Sequence, residues 1–140
     1  MAADNFGTCL CEAVKYELHA KPVKCAVCHC DSCQQFSGSV MMANCWYKEE
    51  DFKIVRGLDS VQTFHEKGTT TGGTMKRSFC KICGSSLFQQ TAQLQKEGII
   101  SVTSGTMDNR SDAQPLLEVW CSNKRKWLTL EHQGDKLDRQ

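Results

Sequence analysis

Net charge is almost absent from this chain: 17 basic residues stand against 16 acidic, a formal +1 over 140 positions. Such a balance encodes no long-range pull toward nucleic acid or an anionic membrane. No arginine cluster stands out either. Arg77, Arg110, Arg125 and Lys124 are scattered, and solvated positions are expected for them. Long apolar runs are also missing: nothing approaches the roughly 18 residues that a membrane-spanning helix needs, and the opening MAADNFGTCLCEAV has no basic segment leading into an apolar one. The expectation is a soluble cytoplasmic protein with no membrane partner. There is no internal repeat and no break in composition that would mark a second domain. The Gly/Thr-rich stretch KGTTTGGTMK (67–76) lacks the GxxxxGK[ST] order of a phosphate loop and no helix pattern follows it, so it reads as a hairpin connection. One domain over 1–140 is expected, large enough to bury a core, with a polar tail at 131–140 that frays.

What the chain does have is sulfur, ten cysteines in all. In a secreted chain an even count suggests disulfides; in a reducing compartment it suggests metal ligation or catalysis. Spacing favours metal. Cys9-x-Cys11 and Cys28-x-Cys30 hold thiols two apart, which on extended backbone share a face and make poor disulfide partners for each other but a two-toothed clamp for an ion.

Around the cysteines, GTCLCEAVKYELHA, GSVMMANCWY, FKIVRG, SVQTFHE, MKRSFC, SSLFQQT, GIISVTSGTM and LLEVWC are short alternating or β-branched runs broken by turn residues. They predict a mostly β, antiparallel fold. Helical turns are expected only at 31–36 and 49–52, too short to build a layer.

The outer cysteines, Cys9, Cys11, Cys80 and Cys83, form one closed set of four thiolates. Cys80-x-x-Cys83-Gly84 has the form of a zinc knuckle, with the glycine allowing the tight turn under the metal. A redox CxxC is the rival, disfavoured because no helix starts after Cys83 to lower a thiol pKa. The inner set, Cys28, Cys30 and Cys33, leaves a fourth position open. If Cys25 fills it, the site is closed and architectural; if Cys25 faces elsewhere, three thiolates and a free position are the pattern of a catalytic zinc. Spacing does not separate these two. His29, between two ligands, points away from the metal face on extended backbone and is read as a packed or supporting histidine. The order C-x2-C-x-C-x2-C is not the ferredoxin run. Three Trp, six Phe and two Tyr argue for a packed core rather than a metallothionein-like sponge. Cys45 and Cys121, in NCWY and VWCS, read as buried inert thiols.

The segments GTCLCEAVKYEL, CHCDSCQQFSG, EDFKIVRG, SFCKICGSSLF, SGTMDN and VWCSNKRKWL, in this order from about residue 6 to 130, resemble the glutathione-dependent formaldehyde-activating enzyme family. The resemblance implies a zinc-stabilised β-tent fold and two zinc ions per chain. It implies a structural zinc on Cys9, Cys11, Cys80 and Cys83 and a catalytic zinc on Cys28, Cys30 and Cys33. It sets Cys25 outside the ligand set, as a spare core thiol, with a fourth ligand or a competitor for the open site as alternatives. Glu118 departs from the family, which often has a histidine there.

The implied activity is that of a carbon-sulfur lyase run toward synthesis, adding a thiol, glutathione first, to formaldehyde or another aldehyde- or imine-like carbon. Three thiolates weaken a zinc ion as a Lewis acid, so delivery of a thiol or water is expected over strong carbonyl polarisation. His29, Asp31 and Asp108 are the acid/base candidates, and Gln34, Ser37 and Gly38 are expected to line the thiol pocket. No arginine cluster marks a place for glutathione's two carboxylates. The alternatives are a zinc hydrolase acting on a reactive small molecule, and a non-catalytic β-tent binding module such as the centromere-associated branch of the family, which predicts loss of the inner triad or an added basic extension. A homodimer is compatible with the sequence.

Overall fold

The computed structural model describes residues 2–69 and 72–139. Among the described residues there are eleven short strands: β1 (Asn5–Thr8), β2 (Lys15–Leu18), β3 (Lys24–Cys28), β4 (Met42–Lys48), β5 (Phe52–Arg56), β6 (Val61–Glu66), β7 (Met75–Cys80), β8 (Ser86–Thr91), β9 (Ile99–Thr103), β10 (Leu117–Val119) and β11 (Asp135–Lys136). Two short helices, α1 (Asp31–Ser37) and α2 (Ala92–Lys96), interrupt them. No helix among the described residues is long and apolar enough to cross a membrane.

The strands form a three-stranded sheet, β1-β2-β5, and an eight-stranded sheet, β11-β10-β3-β4-β9-β8-β7-β6. Alternation fixes which faces meet. Tyr16 and Leu18 from the small sheet pack with Cys45, Tyr47, Leu87, Ile100 and Val102 from the large one, all buried. Phe52 bridges the layers, its ring centroid 5.4 Å from that of Tyr16 and 5.1 Å from that of Phe88. β1 passes so close over Tyr16 that a Cβ on Gly7 would sit 2.0 Å from the ring. The turn at Gly57 has φ +77°, and a side chain there would also meet the Ala13 carbonyl oxygen.

The expected mostly β fold is present, with differences in detail. Two pairings are parallel, β10 with β3 and β10 with β11. The hairpin expected at 67–76 joins β6 to β7, which pair antiparallel from Val61↔Cys80 to Glu66↔Met75; residues 70 and 71 within it lie outside the described residues. The helical turn expected at 31–36 is α1, and that at 49–52 is one 3-10 turn, Glu49–Asp51. β3 and α2 were not expected. α2 starts where the Thr91 side chain accepts a hydrogen bond from Leu94 N–H at 3.1 Å, a local cap that offsets its poor length.

The described part of the tail, 131–139, makes contacts with the body of the fold. β11 pairs with β10, Leu137 N–H donates to the Glu118 carbonyl at 2.7 Å, and the Arg139 guanidinium lies 4.9 Å from the centre of the Trp120 ring. Cys25 is neither a spare thiol nor a fourth ligand, and Cys45 is not an inert free thiol. The two face each other across β3 and β4 and are joined by a disulfide. Cys121 is only half-buried, and its thiol donates to the Glu118 carbonyl at 3.6 Å.

Candidate functional site

Cys9 and Cys11 sit in the turn leaving β1, which closes with Glu12 at φ 64° and Glu12 N–H donating to the Cys9 carbonyl. Cys80 ends β7, and Cys83 sits in the turn after it, where Gly84 takes φ 77° and donates its N–H to the Cys80 carbonyl at 2.8 Å. The Cys11 sulfur lies 3.6 Å from that of Cys9 and 3.8 Å from that of Cys80. All four sulfurs fall within 4.8 Å of one another. A tetrahedron of sulfurs at zinc–sulfur bond length has edges of about 3.8 Å. The spacing therefore fits a four-thiolate metal site. The Ser85 hydroxyl, 3.2 Å away, lowers Cys83 to about 5, which favours the ligating form.

The inner cluster forms where β3 runs into α1. β3 is held on both edges, by β4 and by β10, so Cys28 at its end has a fixed position. Cys30 caps α1, its sulfur accepting from Cys33 N–H at 3.4 Å, and Cys33 lies in the first turn. The three sulfurs fall within 4.8 Å of one another. Cys30 is lowered to about 2, first through Cys28 and then Cys33, while Cys28 is driven far up by contact with Cys30 and Cys33. Thiols this close share their protons unless a cation lets all of them ionise. The donor set fits a divalent, thiophilic ion.

A cavity of about 130 Å³ opens onto the inner sulfurs. Its walls come from the β3–α1 junction (Asp31 and Ser32), the β6–β7 hairpin (Glu66, Thr69, Met75 and Arg77), the end of β8 (Thr91) and the turn after β10 (Trp120 and Asn123). Trp120 takes φ 58°, a left-handed conformation that costs about 1–2 kcal/mol in a residue with a side chain. That local cost accompanies a sharp turn at the cavity wall.

His29 is fully buried and lies outside the sulfur cluster, its Nε2–H donating to Glu118 Oε1 at 2.7 Å. Glu118, also fully buried, meets Lys124 Nζ at 2.6 Å and His132 Nε2 at 2.9 Å as well. Burial pushes its carboxyl up, but the bonds from Lys124, His132 and His29 outweigh burial and hold it down at about 2. Where a histidine was expected from the family, a carboxylate ties two histidines and a lysine beneath the inner loop.

The remaining expectations divide. Asp31 lines the cavity, its carboxylate accepting from Asn123 Nδ2 at 3.0 Å. Neither His29 nor Asp108 lines it; Asp108 is exposed beside the Met107 bridge to Gly7. Gln34, Ser37 and Gly38 do not line it either. Gln34 donates to the His29 and Asn123 carbonyls and accepts from Arg125, Ser37 bonds the Gln34 and Met41 carbonyls, and Gly38 ends α1 with φ 63°. These are roles in holding the loop. Arg77, expected to be solvated, is buried against Cys33. The available signal was its place in MKRSFC, on the Met75 face of an alternating strand.

Fold and site together define a two-layer β protein with two thiol clusters of metal-binding form, one closed by four sulfurs and one of three beside a cavity. The family model for the glutathione-dependent formaldehyde-activating enzyme matches residues 5–123, and the chain belongs to that family. The family points to a carbon-sulfur reaction of formaldehyde with glutathione. A crystal structure of a Rhodobacter sphaeroides protein shares the fold, with a TM-score of 0.57 and 24% identity over 74% of this chain and 88% of that one. No curated protein matches the chain.

Proposed function

We propose that the protein adds a thiol, glutathione first, to formaldehyde or a similar small aldehyde- or imine-like carbon, and works as a carbon-sulfur lyase run toward synthesis. Cys28, Cys30 and Cys33 would hold the catalytic zinc, and Cys9, Cys11, Cys80 and Cys83 a structural one. The observation that carries the reading is the contrast between the clusters: four converging sulfurs close one, whereas three sulfurs of the other line a cavity. A zinc ion held by these three residues would supply a lowered pKa for a substrate thiol.

The chain's own groups account for the rest. In the reaction a sulfur–carbon bond forms, the carbonyl π bond breaks, and the thiol proton ends on the new hydroxyl. Asp31, hydrogen-bonded by Asn123, would take that proton and return it. Trp120 and Met75 give the cavity apolar walls that keep water from competing. The volume suits a one-carbon carbonyl and the end of a cysteine side chain, so the body of a tripeptide thiol lies outside. Zinc per chain by native mass spectrometry, followed by exchange NMR of labelled formaldehyde with glutathione, tests the reading. Two zincs and a rate above buffer that Cys30→Ala abolishes support it; a rate equal to buffer with two zincs bound refutes it.

A further inference from the structure

Arg77 is a buried charge that sits against the inner cluster. Only 2% of it is exposed, yet a guanidinium is expensive to bury unless its donors are matched. Its Nε donates to Glu66 Oε2 at 2.7 Å, and its plane lies 5.1 Å from the centre of the Phe36 ring. Its other edge meets sulfur: Nη1 and Nη2 each lie 3.8 Å from Cys33 Sγ, and Nη1 lies 3.9 Å from Met42 Sδ. Glu66 takes the Nε edge, so the positive terminal edge is what Cys33 faces. A neutral thiol or thioether is a weak acceptor and matches such a fork badly; an anionic sulfur matches it well. Cys33 is also the buried member of the triad, while Cys28 and Cys30 are half-buried. Water therefore balances its charge least.

We infer that Arg77 is the positioning residue of the inner site, holding the Cys33 sulfur by a two-pronged contact and balancing its charge as a metal ligand. The inference rests on the proposed zinc site. Its consequence is a division within the triad. Cys33 is the anchored ligand, its donation to the metal reduced by the two N–H contacts, and this restores part of the Lewis acidity that three thiolates remove. Phe36 and Glu66 fix the guanidinium from the two remaining sides, so the contact depends on shape as well as charge.

The test compares the wild type with Arg77→Gln and Arg77→Lys. Native mass spectrometry counts zinc per chain along a series of competing chelator concentrations, and melting is recorded in excess zinc. The expected result is two zincs in the wild type, with one of them lost about 10- to 100-fold more readily in Arg77→Gln, the scale for removing a partner of a metal ligand. Arg77→Lys, which keeps the charge but not the fork, falls between them, and the other zinc is retained alike in all three. Identical chelator profiles with two zincs bound would overturn the role of Arg77 and leave the zinc site standing. A wild type that carries one zinc would overturn the site itself, and the role of Arg77 with it. If Arg77→Gln fails to fold, Arg77→Lys decides: retention at least a few-fold weaker than wild type upholds the inference, and wild-type retention overturns it.

Discussion

Replacing Glu118 by glutamine changes one oxygen and tests whether the buried carboxylate network holds the inner loop in place. Glu118 Oε1 serves His29 and Lys124, and Oε2 serves His132. The His132 tautomer is set independently, because its Nδ1 accepts from Gly134 N–H at 3.0 Å, so Nε2 carries the proton. A glutamine amide aimed at that Nε2 would set donor against donor; turned over, it would face the Lys124 ammonium. With the carboxyl lowered from 4.5 to about 2, linkage gives roughly 3 kcal/mol at neutral pH, in line with the loss from breaking a buried ion pair. For a chain of this size that is a fall in Tm of roughly 10 °C. The pH dependence has a definite sign: a depressed carboxyl stabilises fully above its unfolded value of 4.5 and loses that contribution as pH falls toward 2. By pH 4 the gap between wild type and variant should therefore narrow by about 1 kcal/mol. Urea titrations at pH 7, 5 and 4 measure it. A variant melting within about 2 °C of wild type, or a gap that does not narrow with acid, would refute the reasoning.

Cys80→Ala should lose one zinc and most of the fold, since metal binding at such a site contributes on the order of 10 kcal/mol to folding; circular dichroism and zinc content check it, and a folded variant with one zinc fewer would show the outer cluster to be dispensable. Alkylation of the denatured, metal-stripped chain should modify eight cysteines before reduction and ten after; ten before reduction would remove the Cys25–Cys45 bond. The double variant Cys25→Ala/Cys45→Ala opens a link across 20 positions and should cost about 3 kcal/mol in denaturant melts, with zinc content unchanged. Gly57→Ala places a Cβ 2.0 Å from the Ala13 oxygen at φ +77° and should destabilise by more than about 2 kcal/mol, read as an earlier urea midpoint.

The paired ligands were legible in the sequence because metal ligation is local chemistry: two thiols on one turn stand two or three positions apart whatever the fold, whereas the joining of the outer pairs and the exclusion of Cys25 came from the family resemblance. The β class was legible from alternation. What escaped was everything that depends on register. Cys25 and Cys45 become partners only when β3 lies opposite β4, and no spacing along the chain reports that. β3 itself was hidden because KCAVC is dominated by its cysteines, and β11 because two exposed residues have no period. The tail is anchored instead by His132 beneath Glu118 and Arg139 over Trp120, contacts between residues 14 and 19 positions apart. Gln34, Ser37 and Gly38 support the backbone around a seven-residue helix, and Gln34 and Gly38 line a second cleft with Asp31 rather than the cavity at the inner sulfurs.

Arg77 shows why the two clusters are best understood together. It lies on β7 three residues before Cys80, about 10 Å away along an extended strand. β7 is hydrogen-bonded on both edges, to β6 and β8, so its displacement along or across the sheet is resisted. The outer cluster fixes one end of that strand against the turn after β1, through the 3.8 Å approach of the Cys11 and Cys80 sulfurs. The same strand then carries the guanidinium to Cys33. The loop bearing Cys28, Cys30 and Cys33 is located separately, by β3 between β4 and β10 and by the Glu118 network below it. Two independently braced elements thus meet at the Arg77–Cys33 contact. Under the proposed function such bracing would hold the small cavity in register, because misplacement of a substrate by about 1 Å can cost on the order of 100-fold in rate.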